Sequence, residues 1–272
     1  MTRLVRSDVE NIERELYGYD ATLVRRTGLT LRQIAAAAAG MAEQTLIAAT
    51  ASRLTAVVPI TAGEGLIEYF AQSVCGILAY LGCRAVITGQ TDVAGIAEGM
   101  ESGAEILFMA DELRFVAIDL RSGALADNGE ATGRGYSAAL DAMAGGLRDK
   151  AALVLGAGPV GRGALAMLQE IGAHPAVYDI DIDRARKAAA PAGAVVEQEL
   201  HQALAGHRYI VEATPQGSFI GPGDLQPGAL VAAPGVPLGL TAPAHASMQD
   251  RVLYDPLQIG VAAMLALAVS KR

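Results

Sequence analysis

The 272-residue sequence contains no tryptophan, only four phenylalanines and only two cysteines. Cys75 and Cys83 are too few for a disulfide framework or a cysteine metal cage, so we expect both to be reduced core residues. The four histidines form no cluster and no spacing typical of a metal site, and they are His174, His201, His207 and His245. The sequence therefore predicts neither a metal centre nor a fold held together by disulfides.

Cationic residues are also scarce, since 21 Lys and Arg oppose 29 Asp and Glu, and no lysine occurs before Lys150. Nucleic-acid binding needs a basic surface that displaces phosphate counterions, and no such stripe is present. The apolar run at 259–269 is too short to cross a bilayer, and residues 1–10 lack the apolar core of a signal peptide. We therefore expect a cytoplasmic protein whose partner is a small-molecule substrate, not a nucleic acid or a membrane, with a homodimer left open.

Strand and helix patterns alternate along the chain, which predicts an α/β fold. In the first half the predicted strands are 56–60, 85–88, 106–109 and 115–120, and the predicted helices are 7–26, 31–39, 66–81, 92–102 and 136–147. The polar, glycine-containing stretch 127–135 predicts a loop before the last of these helices. In the second half the predicted strands are 151–155, 176–178, 195–196, 209–211, 230–232 and 252–254, and the predicted helices are 160–171, 183–190, 199–205 and 258–270.

The pattern restarts near residue 151, which predicts two domains. We assign 1–132 to an N-terminal α/β substrate and catalytic domain, and 133–272 to a C-terminal Rossmann domain with a doubly wound, mostly parallel sheet. The second domain includes the connecting helix and the final helix. Because the final helix is apolar nearly all round, it must be buried, and it could cross back onto the first domain.

A glycine-rich turn begins the second domain's first strand–helix connection, with the sequence Gly156-Ala157-Gly158-Pro159-Val160-Gly161. A G-x-G-x-x-G motif is weak alone, but here it follows an apolar strand and opens an amphipathic helix. Gly156 allows the tight turn, Gly158 lets a diphosphate approach the backbone, and Gly161 lets the helix pack on the strand. The helix N-terminus then binds the diphosphate, and Pro159 is tolerated in the first turn.

Asp179 ends the next strand, eighteen residues after Gly161, where a carboxylate can accept hydrogen bonds from the adenosine ribose. The same charge would repel a 2′-phosphate by about 4 kcal/mol at about 4 Å and an effective dielectric near 20. We therefore predict NAD as the cofactor, although Arg184 and Arg186 close behind leave NADP as an alternative. Three later strand ends should line the nicotinamide half of the cleft, and their residues are Ala213, Thr214, Pro234, Gly235 and Asp255.

The chain resembles the pyrrolysine synthase family, the dehydrogenases that complete pyrrolysine biosynthesis, over nearly its whole length. The motifs that carry the resemblance are Thr27-Gly28-Leu29, Val58-Pro59-Ile60-Thr61 with Gly63 and Gly65, Met109-Ala110-Asp111, Asn128, Thr132-Gly133, the glycine-rich turn with Tyr178-Asp179, Glu212-Ala213-Thr214-Pro215, Pro234-Gly235, and Pro256-Leu257 with Ile259-Gly260. Their order and spacing together are more specific than any one of them.

The resemblance implies NAD-dependent oxidation of the terminal amine of 3-methylornithyl-N6-lysine to an imine, which hydrolyses to an aldehyde and cyclises to a pyrroline ring. It implies that Asp111 is the catalytic, substrate-contacting acid. It also implies that Leu4, Thr61 and Ala62 bind substrate, and that Asn128, Thr132 and Asp255 lie near the cofactor. Two positions depart from the family, because Asp255 stands where glutamate is usual and Ala62 stands where a serine is expected.

Two other functions fit the same motifs. One is a different two-domain NAD(P)-dependent dehydrogenase, of the amino-acid, shikimate or methylene-tetrahydrofolate type. Shikimate-type chemistry needs a Lys/Asp pair in the first domain, and the absence of lysine from the first 149 residues argues against it. The other is a non-catalytic NAD-binding sensor, which the fold alone does not distinguish from an enzyme.

Overall fold

The computed structural model describes residues 4–63 and 65–270. Its strands are β1 (Leu54–Pro59), β2 (Arg84–Ile87), β3 (Ile106–Ala110), β4 (Phe115–Asp119), β5 (Ala124–Asp127), β6 (Ala151–Leu155), β7 (His174–Tyr178), β8 (Val195–Val196), β9 (Tyr209–Glu212), β10 (Leu230–Ala232) and β11 (Val252–Leu253). Its α-helices are α1 (Arg6–Val9), α2 (Ile12–Thr27), α3 (Leu31–Ala38), α4 (Glu43–Thr50), α5 (Phe70–Tyr80), α6 (Asp92–Glu101), α7 (Asn128–Met143), α8 (Pro159–Ile171), α9 (Ile182–Ala192), α10 (Leu200–Gly206), α11 (Ala242–Met248) and α12 (Gln258–Ser270). None of the helices in the described ranges combines the length and apolarity that a membrane crossing requires.

The first sheet is mixed and has the order β2-β1-β3-β4-β5. Strand β1 pairs in parallel with β2 and β3, whereas β3, β4 and β5 form an antiparallel meander. The sequence patterns predicted β1 to β4 but not β5 or helix α4, which are short. The carboxyl ends of β1 and β3 lie side by side, so the loops after Pro59 and Ala110 emerge at one edge.

The second sheet is entirely parallel and has the order β11-β10-β9-β6-β7-β8. The chain winds outward from β6 in one direction to β8, then returns to β9 and winds outward in the other direction. Strand order therefore reverses between β6 and β9, and this is the doubly wound arrangement in which ligands bind beyond the carboxyl ends of the strands. The predicted α/β, Rossmann-type fold is confirmed.

Helix α7 begins eight residues before the predicted position, at Asn128, so the prediction of a loop over 127–135 is wrong. Its glycines are required by packing: a Cβ at Gly133 would overlap the backbone of α8, and one at Gly129 would lie 2.5 Å from Pro159. A Cβ at Gly163 on α8 would in turn overlap the backbone of Glu130. The close approach of α7 and α8 therefore accounts for glycines that local sequence rules assign to a loop.

Helix α12 is buried on every side from Gln258 to Val269. It packs against α7, α3, α5 and α4 and against strands β4 and β5 of the first sheet, which confirms the prediction that it crosses back. An ion pair, Arg53 with Asp119, stabilises the far side of the first sheet, and only 6% and 5% of these two side chains are exposed. The two sheets are thus joined by α7 and α12 and enclose a cleft between them.

Candidate active site

A cleft of about 1120 Å³ lies between the two sheets, at the carboxyl ends of their central strands. One wall consists of residues that follow β1 and β3, and the opposite wall consists of the loops that follow β6, β7, β9 and β10. Asn128 and Thr132, on the first turns of α7, form its floor together with Gly260 of α12. The Thr132 hydroxyl donates to Asn128 Oδ1 at 3.1 Å.

The glycine-rich turn has the geometry of a diphosphate site. Gly156 has a φ of +92°, a conformation that L side chains rarely adopt. A Cβ at Gly161 would overlap the carbonyl oxygen of Gly156, whereas a Cβ at Gly158 would meet no protein atom within 4 Å. The space beside Gly158 is therefore open, and it faces the N-terminus of α8, which begins at Pro159. Backbone amides and the positive end of the helix dipole face this space, so a diphosphate could be held there.

Asp179 lies beside that turn and is partly exposed to the cleft. Its Oδ2 accepts a hydrogen bond from the Ala157 N–H at 2.7 Å, and its Oδ1 accepts one from the Asp181 N–H at 2.9 Å. The carboxylate is thus held beside the glycine-rich turn, at the edge of the cleft. Of the two arginines behind it, Arg184 lines the cleft, whereas Arg186 pairs with Asp183 at 3.1 Å.

Asp111 lies at the turn between β3 and β4 and lines the cleft. Its Oδ1 accepts hydrogen bonds from the backbone N–H groups of Leu113 at 2.8 Å and Arg114 at 2.7 Å. These bonds order the turn. Within the described residues the hydrogen bonds of the Asp111 side chain use Oδ1, so its Oδ2 can receive a bond or a proton from a molecule in the cleft.

The remaining predicted substrate residues are placed differently from one another. Leu4 is half-buried and lines the cleft, whereas Thr61 and Ala62 lie outside its lining. The hydroxyl and the N–H of Thr61 both donate to the Asp92 carboxylate, at 2.5 and 2.8 Å. These bonds lower the pKa of Asp92 and hold it at a φ of +54°. Thr61 therefore anchors its loop to α6, and its side chain is turned away from the cleft.

Glu212, at the end of β9, is fully buried beneath the cleft wall. Its carboxylate accepts hydrogen bonds from the Thr214 hydroxyl at 2.5 Å, the Thr214 N–H at 2.9 Å and the Gly239 N–H at 3.2 Å. Burial raises the pKa of Glu212 from 4.5 to about 6, although the Thr214 bonds oppose the change. This carboxylate joins the loop after β9 to the loop after β10, and so fixes the wall that contains Ala213, Thr214 and Gly235.

Asp255 follows β11 and is 5% exposed. Its Oδ2 accepts hydrogen bonds from the hydroxyls of Tyr19 and Tyr136, each at 2.8 Å. Its Oδ1 accepts hydrogen bonds from the N–H groups of Leu257 at 3.1 Å and Ile259 at 3.3 Å. Burial raises the pKa of Asp255, while these bonds favour the ionised form. The two tyrosines lie on α2 and α7, so three distant parts of the chain meet at this carboxylate.

The cleft is predominantly acidic. Among its described lining residues, the charged side chains are Glu68, Asp111, Glu112, Asp179, Asp255 and Arg184. Glu68 is paired with Arg6 at 2.9 Å. Within residues 4–63 and 65–270, no three His, Cys, Asp or Glu side chains are arranged to hold a metal ion. Such a cleft attracts cationic molecules and repels anionic ones.

The structure brings most of the predicted site residues to this one cleft. They are Leu4, Asp111, Asn128, Thr132, Gly156, Gly158, Pro159, Val160, Asp179, Ala213, Thr214, Pro234, Gly235 and Asp255. Gly161 lies beneath the turn, in its predicted packing position. The sequence analysis missed Tyr19, Tyr136 and the buried role of Glu212. A charged residue at the end of an apolar strand was a usable signal for Glu212, whereas no local signal distinguished the two tyrosines.

The two sheets and the cleft between them form a Rossmann-type α/β fold similar to that of shikimate dehydrogenases. Shikimate 5-dehydrogenase from Thermus thermophilus, solved with NADP(H) and shikimate, superposes with a TM-score of 0.52 and 19% identity, covering 80% of this chain and 91% of that one. Quinate dehydrogenase from Corynebacterium glutamicum, solved with NAD, superposes with a TM-score of 0.54 and 17% identity, covering 79% and 93%. These likenesses concern the fold.

The sequence comparisons are more specific. Residues 8–126 match the family model described as "Pyrrolysine biosynthesis protein PylD, N-terminal domain". Pyrrolysine synthase from Methanosarcina acetivorans is 29% identical over 266 residues, which cover 97% of this chain and 98% of that protein. The same enzyme from Methanosarcina barkeri is 29% identical, with 97% of each chain covered. The resemblance to the pyrrolysine synthase family, indicated by the sequence motifs, is confirmed.

Proposed function

We propose that this chain is an NAD-dependent dehydrogenase that oxidises the terminal amine of 3-methylornithyl-N6-lysine. The product imine hydrolyses to an aldehyde, which condenses with the ornithine α-amine and closes the pyrroline ring of pyrrolysine. The observation that carries this proposal is the acidic cleft beside the open diphosphate turn at Gly158. The full-length similarity to two proteins named pyrrolysine synthase supports the same substrate.

The substrate suits the charges of the cleft. Its amide uses the ornithine carboxyl group, so three amines remain against one carboxylate, and the molecule is cationic. The carboxylates of Asp111, Glu112 and Asp255 attract such a substrate and stabilise an iminium charge as it forms. Asp111 is the residue to which we assign substrate contact, because its Oδ2 remains available while Oδ1 orders the turn.

The glycine-rich turn, Asp179 and the loops fixed by Glu212 would hold the cofactor. When bound, NAD supplies the acceptor for hydride from the carbon that bears the terminal amine. Hydride leaves readily only when that amine is neutral, because its lone pair forms the new C=N bond. The chain must therefore accept a proton, and carboxylates at the cleft are the groups that can do so. Hydrolysis of the imine consumes one water and releases ammonia, and ring closure then releases one water. Because ring closure is intramolecular, it needs positioning more than it needs catalysis.

The direct test is incubation of the protein with NAD and 3-methylornithyl-N6-lysine, with NADH absorbance and product mass as readouts. We expect NADH and a product with the mass of pyrrolysine, and weaker turnover with NADP. NADH formation only with a shorter amino acid would instead favour another amino-acid dehydrogenase. Binding of NAD without turnover of any amine would favour the sensor.

Asp111→Asn removes the carboxylate charge but preserves the turn, because asparagine Oδ1 can still accept the two backbone hydrogen bonds. We expect NAD affinity to stay within about twofold and turnover to fall by about 100-fold or more, the usual contribution of a positioned acid or base. Asp111→Ala, which removes both functions, is the comparison for stability. Full activity of the asparagine variant would show that Asp111 serves only the turn.

A further inference from the structure

One buried carboxylate, that of Asp255, borders two separate cavities. The first is the cleft, and the second has a volume of about 510 Å³ and lies between α2 and residues 253–258. The second cavity opens to solvent, since Arg14 and Glu15 on its wall are exposed. Asp255 therefore lies between the cleft and a second, water-accessible cavity.

The two tyrosines whose hydroxyl groups donate to Asp255 border different cavities. Tyr136 lines the cleft, whereas Tyr19 lines the second cavity. Both donate to the same oxygen, Oδ2, at 2.8 Å. Tyr136 is also fixed by the backbone, because its hydroxyl accepts from the Asp255 N–H at 2.9 Å and lies 2.7 Å from the Asp255 carbonyl oxygen. The polar groups thus form a continuous row from the cleft through Asp255 and Tyr19 to the second cavity.

The proposed reaction releases a proton in a place where water is scarce. A protonated amine, R–CH2–NH3+, and NAD+ give R–CH=NH2+, NADH and one proton. Substrate and cofactor together occupy the cleft during this step and exclude most of its water. The row that begins at Asp255 offers this proton a path through polar groups of the protein to solvent.

We propose that Asp255 and Tyr19 form a proton relay that carries the proton released in the cleft to water in the second cavity. The relay rests on the proposed function. An N–H bond of the substrate ammonium breaks as an O–H bond forms on Asp255. The Tyr19 hydroxyl, which donates to Oδ2 beforehand, then turns towards a water in the second cavity, accepts the proton of the carboxylic acid on its oxygen and passes its own proton to that water. Carboxylate and phenol are restored, and neither is oxidised or reduced.

The environment of both residues suits this sequence of steps. Burial raises the pKa of Asp255, which makes the carboxylate a better proton acceptor. Burial and the Asp255 charge raise the pKa of Tyr19 well above its usual value, so tyrosinate does not accumulate. Tyr19 must therefore gain one proton as it loses another. Tyr136, anchored to the Asp255 backbone, is a positioning residue that holds the carboxylate at the boundary of the cleft.

The test compares Tyr19→Phe with Tyr17→Phe in the full-length protein. Tyr17 lies on the same helix, is 80% exposed, stacks edge-on against Tyr80 and borders neither cavity. Stopped-flow absorbance follows NADH in a single turnover with 3-methylornithyl-N6-lysine, and a pH-indicator dye follows the released proton in the same mixture. Added imidazole serves as a small proton carrier that fits the second cavity.

In the wild type and in Tyr17→Phe, we expect NADH and the proton to appear together. In Tyr19→Phe, we expect proton release to be at least about tenfold slower than in the wild type and to lag behind NADH in the first turnover, because Asp255 can still accept one proton but cannot pass it on. Steady-state turnover should fall to the rate of proton release and recover in part with imidazole. Wild-type proton release in Tyr19→Phe overturns the relay. Equal slowing of NADH formation and proton release, with no recovery when imidazole is added, also overturns the relay, because that pattern indicates a structural role for Tyr19. An inactive wild type, by contrast, overturns the proposed function itself.

Discussion

Glu212 offers a quantitative test of how the cleft wall that contains Ala213, Thr214 and Gly235 is built. Its carboxylate joins two loops, yet it is fully buried, and in the part of the chain that the structure describes no arginine, lysine or histidine pairs with it. Burial raises its pKa from 4.5 to about 6. A difference of about 1.5 pKa units between the unfolded and folded states corresponds to about 2 kcal/mol.

The direction of the effect follows from where the proton is bound. Below about pH 4 the carboxyl group is neutral in both states, so its ionisation costs the fold nothing. As the pH rises from 4.5 to about 6, the unfolded state ionises first and is favoured. Above about pH 6 the carboxyl group is ionised in both states, and the folded protein is less stable than below about pH 4 by the full amount of about 2 kcal/mol. Glu212→Gln removes this titration. We therefore compare the unfolding free energies as variant minus wild type. This difference should rise by about 2 kcal/mol between about pH 4 and about pH 7.5.

Urea unfolding at constant ionic strength across this range measures the difference. The glutamine amide cannot accept from both Thr214 and Gly239, so the variant also carries a fixed loss, but that loss does not depend on pH. Thr214→Val is the second variant, because it removes a hydrogen bond that favours the ionised carboxylate. It should raise the pKa of Glu212 further and move the pH window upward. A difference between wild type and Glu212→Gln that stays constant with pH would refute the reasoning.

Four other substitutions test the proposed cofactor site and the fold. Gly158→Ala should leave the unfolding free energy within about 1 kcal/mol of the wild-type value, because the new Cβ meets no protein atom. The same variant should bind NAD at least about tenfold more weakly when binding is measured by calorimetry. Gly161→Ala should destabilise the fold instead, because its Cβ would overlap the Gly156 carbonyl oxygen. Asp179→Ala should weaken NAD binding by about 10–100-fold and NADP binding by less. Unchanged NAD affinity would contradict the proposed role of Asp179 in binding the ribose. Arg53→Met should cost about 3–5 kcal/mol in urea unfolding by leaving Asp119 unpaired, and a loss below about 1 kcal/mol would contradict that account.

The local parts of the site could be predicted from the sequence because local geometry determines them. The turn at Gly156 needs a positive φ, the strand before it is apolar, and the helix after it begins with Pro159. Each requirement selects residue types at fixed spacing. The same logic predicted strand β7 and the Asp179 that follows it. The parallel, doubly wound character of the second sheet also follows, because strands alternating with helices have few right-handed solutions.

The start of α7 could not be predicted in this way. Glycine lowers helix stability by about 1 kcal/mol relative to alanine, and residues 128–135 contain three glycines. Contacts with partners distant in sequence reverse that preference, since Cβ atoms at Gly133 and Gly135 would collide with α8 and with Ile259. Thr61 is a similar case. Only the folded chain brings Asp92 to its hydroxyl and turns that side chain away from the cleft.

The Asp255 cluster shows why substrate chemistry is harder to predict than cofactor binding. Tyr19 and Asp255 are separated by 236 residues, and neither has a local pattern that predicts the other. Their contact depends on α12 crossing back to the first sheet, because Asp255 lies just before that helix and accepts hydrogen bonds from amides at its start. The helix that closes the fold therefore also orients the carboxylate that borders both cavities. A change that shifts α12 should disturb proton transfer before it disturbs the glycine-rich turn, which is built within the second sheet.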